Sequence, residues 1–261
     1  MKDVRLISID FDFFQKVDKD TIGSYYPDGV DLSTDLSKMV WTGYYVHPNT
    51  KKKLEAVTCD EDALNTMKSI LSHCPTIKDV LMTNSHVHIY EFIHELMEKY
   101  KTSSLHITHI DMHHDVLNKN TEVDCGNWLG RISEEYHTKV EWIPNPISLD
   151  VYGLTKMIKH ILGKGLPNLK EADSQGAFDG ADALFLCRSD AWTPPHLDKY
   201  FDDLYHHIIN TFGNSGCKIM GEKCISEPRD MSKEIDVYND AMKQAEIFLK
   251  EKKKHNEEKL S

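Results

Sequence analysis

Alternating acidic and histidine side chains after an apolar run constrain this chain more than any other feature. Leu105 to Ile110 alternates apolar and polar residues, which predicts a β-strand that leads into a loop. Asp111, His113 and Asp115 follow it two residues apart, and in an extended backbone such side chains point to the same side. One imidazole and two carboxylates are therefore expected to converge where a strand of an α/β sheet ends, a common place for ligand sites. The alternative is a set of solvated loop residues.

A second acidic pair lies near the start of the chain. Residues 4–9 are mostly apolar and predict a strand, and Asp10 and Asp12 follow with the same two-residue spacing. Two ionised carboxylates on one side of a strand repel each other, and burying them is costly unless a partner or a cation neutralises them. Alone, the pair has three interpretations: metal ligands, solvated acids, or the nucleophile and general acid of a haloacid-dehalogenase-type phosphatase.

A third apolar run begins at Asp79 and ends in polar residues, and helical spacing of apolar residues follows over 89–100. His86 lies at this strand-to-helix junction, where rigid elements on both sides would hold a ligand. His88, in the first helical turn, is the alternative ligand from the same segment. Together the three segments offer six candidate ligands: Asp10, Asp12, His86, Asp111, His113 and Asp115.

Strand and helix patterns alternate along the rest of the chain. Apolar periodicity and turn residues predict helices at 60–71, 149–162 and 194–212, strands at 140–143, 183–187 and 218–220, and a terminal amphipathic helix from 232 to about 254. Strands that alternate with helices favour a parallel sheet covered on both faces. We therefore predict an α/β fold with three αβα layers and a mostly parallel central sheet. No repeat or linker divides the chain, so residues 1–261 are expected to form one domain, with 232–261 as its terminal helix and charged tail.

Residues 15–60 are rich in aromatic and turn-forming residues and show little regular periodicity. A long segment of this kind inside a compact domain is often functional. Two interpretations follow: a loop that covers the substrate beside Asp10 and Asp12, or a segment that packs against the core.

Composition and charge limit the partners. The formal net charge is −11, which disfavours nucleic acid as a partner because phosphate binding needs a basic surface. An acidic protein attracts cationic ligands such as a guanidinium or a basic peptide, although the charge could also serve solubility alone. No window has the length of a membrane span, and the chain begins with a strand pattern in place of a signal peptide.

The cysteine pattern indicates a reducing compartment. Six cysteines occur without a Cys-x-x-Cys pair, so neither a zinc knuckle nor a redox motif is indicated. Without a secretory signal they are expected to be reduced thiols in a cytoplasmic protein. A homo-oligomer is compatible with the sequence.

The three ligand segments resemble the ureohydrolase branch of the arginase/deacetylase superfamily. Asp111-Met-His113-His-Asp115 looks like its Asp-x-His-x-Asp motif, Asp10-Phe-Asp12 looks like its Asp-x-Asp motif, and His86 looks like its isolated first histidine. Ureohydrolases usually carry Asp-x-Asp after the other ligands, whereas here it comes first. The resemblance thus implies an arginase-like fold that is circularly permuted, a change that is tolerated when the termini are close together at the surface.

Two further segments make the resemblance closer. Cys125-Gly-Asn127-Trp128-Leu-Gly130 and the stretch from Leu186 to Pro195 are similar to segments of a divergent arginase-like family. That family includes peptide arginases, which convert arginine residues of ribosomally made precursor peptides to ornithine. The resemblance implies one arginase-like metallohydrolase domain.

The resemblance also implies two metal ions. Asp10 and Asp111 would bridge them, His86 and Asp115 would complete one coordination sphere, and the other sphere would be completed by His113 and Asp12. Four carboxylates and two imidazoles without a thiolate suit hard or borderline octahedral ions, with Mn²⁺ first. Zinc-type deacetylases use fewer ligands and have a glycine in a His-His-Gly-Asp run, whereas Asp115 directly follows His114 here.

The implied chemistry is hydrolysis of a guanidinium group. Two cations lower the pKa of a shared water, and the bridging hydroxide attacks the guanidinium carbon, with Asp115 accepting a hydrogen bond from it and moving its proton. Asn127 would contact the substrate. Leu129 stands where arginases carry a proton-shuttle histidine, so His114 or His88 would replace that shuttle, or Asp115 would act alone.

Asp190 is our candidate partner for the substrate guanidinium, and its alternative is a helix cap or turn residue before Pro194. The expected substrate is arginine within a precursor peptide, giving ornithine and urea. The alternatives are a small-molecule arginase or agmatinase, a zinc-type deacetylase, a non-catalytic metal-binding protein and the phosphatase. The phosphatase is disfavoured because Phe13 and Phe14 stand where that family has Thr or Val.

Overall fold

A six-stranded parallel sheet forms the centre of the molecule in the computed structural model, which describes residues 3–27, 31–117, 122–153, 166–213, 216–220 and 229–258. In chain order the strands of both sheets are β1 (Val4–Asp10), β2 (Gln15–Lys16), β3 (Thr58–Cys59), β4 (Asp79–Thr83), β5 (Ser104–Asp111), β6 (His137–Pro144), β7 (Ala183–Cys187) and β8 (Lys218–Met220). The central sheet has the order β6-β5-β1-β7-β4-β8, and β2 pairs antiparallel with β3 in a small second sheet.

Ten helices belong to the described ranges. They are α1 (Lys19–Tyr25), α2 (Thr34–Tyr45), α3 (Pro48–Leu54), α4 (Glu61–Ser72), α5 (Ile89–Tyr100), α6 (Trp128–Glu135), α7 (Ser148–Tyr152), α8 (Leu169–Ser174), α9 (Asp198–Phe212) and α10 (Met231–Glu258). Short 3₁₀ turns lie at Phe11–Phe14, His86–His88 and Pro195–Leu197. None of the helices in these ranges combines the length and the apolar character needed to cross a membrane.

Both faces of the central sheet are buried, because successive residues of a strand point to opposite sides. On β1, Ile7 and Ile9 pack with α4, α8 and α9 on one face, whereas Val4 and Leu6 pack with α5 and α6 on the other. This arrangement confirms the predicted α/β class and the three αβα layers around a parallel sheet. It also explains why β7, an inner strand of the sheet, is apolar and buried at every position.

The described part of the segment over 15–60 is mostly helical, so the expectation of an irregular loop is corrected, whereas its role in covering a substrate stays a prediction. The side chains of Asp18 and Ser33 cap the starts of α1 and α2, and a proline begins α3. The aromatic residues Tyr26, Trp41 and Tyr45 are buried in a third apolar cluster together with parts of α10. The alternative interpretation, packing against the core, is borne out for these aromatic residues.

The other element predictions hold with shifted ends. The strand predicted at 140–143 extends over β6, and the helix predicted at 194–212 begins as a 3₁₀ turn before α9. The predicted helix at 149–162 is described only as α7, which ends at Gly153 with φ +66°. Residues 154–165 lie outside the described ranges.

Candidate metal centre

The carboxyl ends of β1 and β5 are neighbours in the sheet, and their acidic residues surround one imidazole. His86 Nδ1 lies 3.1 Å from Asp10 Oδ2, 3.1 Å from Asp111 Oδ2 and 3.3 Å from Asp115 Oδ2. All four side chains are buried. A single ring N–H cannot satisfy three carboxylates, so these atoms have the arrangement of a shared ligand shell.

A second group adjoins the first through Asp111. His113 Nδ1 lies 2.9 Å from Asp12 Oδ2 and 3.5 Å from Asp111 Oδ1. Asp111 therefore turns Oδ2 toward the first group and Oδ1 toward the second. His86, Asp111 and Asp115 of the first group have ligand atoms close enough together to hold a cation, and so do Asp12, Asp111 and His113 of the second. The Asp111 carboxylate is common to both.

His109 belongs to the first group and was missed by sequence reasoning. Its Nε2 lies 3.5 Å from Asp111 Oδ2 and 3.7 Å from Asp115 Oδ2, and its side chain is completely buried. The signal was present, because His109 continues the two-residue spacing of Asp111, His113 and Asp115 in the other direction. In the sequence it is one of the alternating polar residues of the predicted strand.

The fit of these residues to a cation rests on polar atoms that lack partners. Within the described part of the chain, Asp12 Oδ2, Asp111 Oδ2 and both ring nitrogens of His109 are buried without a hydrogen bond. His113 Nδ1 is near Asp12 Oδ2, but the atoms do not have hydrogen-bond geometry. Buried polar groups are normally satisfied, and a divalent cation would satisfy these oxygens and nitrogens together.

The carboxyl groups also show perturbed protonation. Burial, and then the charge of Asp111, raise the pKa of Asp10, whereas burial and the charge of Asp10 raise the pKa of Asp12 to about 8. Burial likewise raises the pKa of Asp115. For Asp111, burial is outweighed by the neighbouring His113, His86 and His109 side chains, which lower its pKa. The metal-free cluster thus retains protons that a cation would displace.

Two hydroxyl groups contact the ring nitrogens of His86 and His113 that point away from the carboxylates. Ser8 Oγ lies 2.9 Å from His86 Nε2, and Tyr152 Oη lies 2.8 Å from His113 Nε2. The His86 ring also stacks on Phe185, with 5.2 Å between ring centroids. Such contacts to the outer nitrogen fix ring orientation and tautomer, and here both rings present Nδ1 to the carboxylates.

Asp115 is held by the start of α6. Its backbone is left-handed, with φ +50°, a conformation that costs free energy in a residue with a side chain and is concentrated at functional sites. Its carbonyl oxygen accepts hydrogen bonds from the backbone N–H groups of Leu129 and Gly130. The Trp128 indole N–H donates to Asp115 Oδ2. The strained turn thereby points this carboxylate at His86.

A cavity of about 660 Å³ opens onto the cluster. Asp10, His86, His113 and Asp115 line it. Other lining residues are aromatic, aliphatic or polar, namely Lys19, Ile22, Gly23, Tyr26, Pro27, His114, Leu117, Asp124, Cys125, Gly126, Asn127, Val151, Tyr152 and Trp192. The volume is in the range of small-molecule binding sites.

His114 and Asn127 both line this cavity. His114 is buried, its Nδ1 accepts a hydrogen bond from the Val116 N–H, and burial lowers its pKa to about 4. Asn127 uses its amide within its own loop, since Oδ1 accepts from the Asp124 N–H and Nδ2 donates to the Glu122 carbonyl. The cavity therefore borders a neutral histidine and an asparagine that shapes the loop beside it.

Asp190 and His88 do not line the cavity. The buried carboxylate of Asp190 accepts hydrogen bonds from Arg188 Nε at 2.5 Å and Nη2 at 3.0 Å, and it is not among the described residues that line the cavity. Its expected contact with a substrate guanidinium is corrected to an internal ion pair. His88 lies in a separate surface concavity beside Asp31, so His86 is the histidine of this segment that faces the carboxylates.

No protein-family model, curated protein or solved structure matches this chain. The functional assignment therefore depends on the chemistry of the residues described above.

Proposed function

We propose that this protein is a binuclear metallohydrolase of the ureohydrolase type, which uses Mn²⁺ to convert arginine residues of a peptide to ornithine and urea. The observation that carries the proposal is the position of Asp111, whose two oxygens face two different groups of candidate ligands. A carboxylate in this position is suited to bridge two cations.

The residues divide naturally between two ions. His86 and Asp115 would hold the first, Asp12 and His113 would hold the second, and Asp10 and Asp111 would contribute to both. Oxygen ligands outnumber nitrogen ligands and no thiolate takes part, which favours Mn²⁺ over softer ions. His109 lies beside the first group and would add a second nitrogen there.

The bound ions would supply Lewis acidity and an activated water molecule. Asp115, whose Oδ2 is fixed by Trp128, would hold and move a proton at its other carboxylate oxygen. His114 borders the cavity with a pKa lowered to about 4, and its Nδ1 accepts the Val116 N–H, so the neutral ring would carry its hydrogen on Nε2 and donate a hydrogen bond there. Leu129 is buried in the core and has no proton to move, so Asp115 would move the proton alone.

The cavity supports a cationic substrate with a long side chain. Its lining combines the acidic cluster with the aromatic residues Tyr26, Tyr152 and Trp192, which can pack against a planar guanidinium or an aliphatic chain. A peptide substrate would place its backbone near exposed Lys19 and bring one arginine side chain to the cluster.

The other enzyme classes account for less of the site. A zinc-type deacetylase needs one ion and would leave the second group, with Asp12 and His113, unexplained. A phosphatase needs Asp10 as a nucleophile, whereas Asp10 Oδ2 is directed at His86 and Oδ1 accepts the Asp12 N–H. A small-molecule arginase or agmatinase uses the same ligands and is distinguished by the substrate alone.

The test is mass spectrometry of arginine-containing peptides incubated with Mn²⁺-loaded protein. Each conversion should remove roughly 42 Da, the CN₂H₂ unit lost in this hydrolysis, and release one urea. The Asp111→Asn variant should be inactive, and Asp203→Asn, altered on the exposed side of α9 outside the cavity, is the matched comparison. If free arginine reacts at least as well as every peptide, the substrate assignment fails. If no guanidinium compound reacts, the ureohydrolase assignment fails.

A further inference from the structure

Helix α7 is fastened to both segments that carry the second group of ligands. Ser148 Oγ donates to the carbonyl of Met112, which lies between Asp111 and His113. Just before the helix, Asn145 Nδ2 donates to the carbonyls of Phe13 and Gln15, which follow Asp12. The position of α7 is therefore defined relative to the ligands, although none of its residues belongs to the cluster.

Tyr152, the last residue of α7, reaches His113. Its hydroxyl lies 2.8 Å from His113 Nε2, and the two ring centroids are 4.9 Å apart. The opposite ring nitrogen, Nδ1, faces Asp12 and Asp111. Tyr152 thus contacts the one nitrogen of His113 that the carboxylates leave free.

The two histidines differ in how much packing holds them. The His86 side chain is 3% exposed and contacts three rings, those of His109, Trp128 and Phe185. The His113 side chain is 22% exposed and contacts two rings, those of Tyr152 and Trp192. A half-buried ring with less packing depends more on a directional hydrogen bond for its orientation. Tyr152 should therefore matter more to His113 than Ser8 matters to His86.

We infer that Tyr152 is a positioning residue that sets the affinity of the second cation site, formed by Asp12, Asp111 and His113. The inference rests on the proposed function only in requiring that two cations bind. When His113 Nε2–H donates to the phenol oxygen, Nδ1 keeps its lone pair toward the carboxylates. Loss of the hydroxyl frees the ring to rotate or to change tautomer, and affinity falls at this site alone.

Two variants distinguish the two candidate cation sites, because each removes a hydroxyl group that contacts the histidine of one site. Tyr152→Phe removes one hydroxyl and keeps the ring, and Ser8→Ala removes the hydroxyl that contacts His86. Chelator competition with Mn²⁺, followed by electron paramagnetic resonance, should show about 10- to 100-fold weaker binding of one ion in Tyr152→Phe, the usual effect of losing such a contact. The other ion should bind as in the wild type. Ser8→Ala should weaken the opposite ion, and by a smaller factor.

A matched control removes the same type of bond far from the cluster. Tyr136 Oη lies 2.7 Å from His94 Nδ1, and Tyr136→Phe should leave both affinities unchanged. A second readout is the exchangeable N–H signal of His113 in the Co²⁺-loaded protein, which should exchange faster with solvent in Tyr152→Phe. The same signal shows whether the His113 ring keeps its hydrogen bond in a variant that is less stable but still folds.

The outcomes separate the two proposals. Two ions of unaltered affinity in Tyr152→Phe, with unchanged N–H exchange, would overturn the role of Tyr152 and leave the proposed function standing. A wild-type protein that binds fewer than two ions would overturn both. Two ions with the expected loss in Tyr152→Phe, but no hydrolysis of any guanidinium compound, would support Tyr152 and refute the ureohydrolase activity.

Discussion

Trp128 donates its indole N–H to Asp115 Oδ2 at 2.6 Å, and both side chains are buried. Trp128 is the first residue of α6, whose start is bonded to the Asp115 carbonyl. The carboxylate and the helix are thus held by each other. Because the indole bond favours the ionised form of Asp115, this tryptophan connects the core to the charge of the candidate metal centre.

We expect Trp128→Phe to move metal binding to higher pH. Without the indole donor the pKa of Asp115, already raised by burial, rises further, so protons compete better with the cation. The pH of half-maximal Mn²⁺ binding should increase, and the smaller ring should lower the free energy of unfolding by about 1–3 kcal/mol. Isothermal titration across pH measures the first effect and urea denaturation the second. An unchanged pH profile would contradict the assigned role of the indole bond.

Asp12→Asn should weaken cation binding and stabilise the metal-free protein. The carboxyl group is buried beside Asp10, and its Oδ2 lacks a hydrogen bond among the described residues. The folded protein must protonate Asp12, with its pKa of about 8, near neutral pH, whereas an amide is neutral without a proton. The free energy of unfolding in chelator at pH 7 should therefore rise by about 1–3 kcal/mol, after the cost of the buried amide N–H groups. Thermal denaturation with and without Mn²⁺ measures both effects. Lower stability in chelator would show that Asp12 has a stabilising partner.

The sequence predicted the convergence of the candidate ligands better than their surroundings. Two-residue spacing after a strand places side chains on one side whatever the tertiary fold, so Asp111, His113 and Asp115 could be predicted together. Ser8 and Tyr152 contact the imidazoles only because the strand order brings distant segments together, and no local pattern encodes that order. Likewise, the capped helices within 15–60 are too short to show a clear apolar period.

The misassignment of Asp190 has a local cause. Ser189 adopts a left-handed backbone with φ +58°, which turns the Asp190 carboxylate back to the guanidinium of Arg188. A sequence pattern does not reveal that one residue other than glycine adopts a left-handed backbone. The strand end was predicted correctly, but the direction of the carboxylate was not.

Asp190→Ala should therefore act on stability and leave substrate binding unchanged. Removal of the carboxylate breaks the two hydrogen bonds that buried Arg188 donates to it, and breaking a buried ion pair typically costs about 3–5 kcal/mol. The KM of the folded enzyme for an arginine peptide should be unchanged, since the side chain does not reach the cavity. Urea denaturation and steady-state kinetics test the two parts. A large rise in KM at unchanged stability would restore the substrate role.

The stability of the metal-free protein should fall as the pH rises from about 6 to 8. The pKa of Asp12 is about 8 in the folded chain and near 4 when unfolded, so over this interval the folded state binds more protons and loses stability as the pH increases. His86 and His113 also make the metal-free protein less stable as the pH rises. Burial alone would lower their pKa values, but the neighbouring carboxylates raise them well above the usual value, so their contribution is present below pH 6.5 and lost at higher pH. Asp111, with its lowered pKa, loses its contribution only in acid, below about pH 4.

Saturating Mn²⁺ should flatten this dependence, because the cation replaces the protons of the cluster and binds better as they leave. Urea denaturation at several pH values between 5.5 and 8.5 gives the slope of the free energy of unfolding against pH, once with chelator and once with Mn²⁺. The Asp12→Asn variant is the control, since it lacks the carboxyl group with the raised pKa and should show a shallower slope in chelator. Equal slopes with and without the cation would mean that the cluster does not exchange protons for metal.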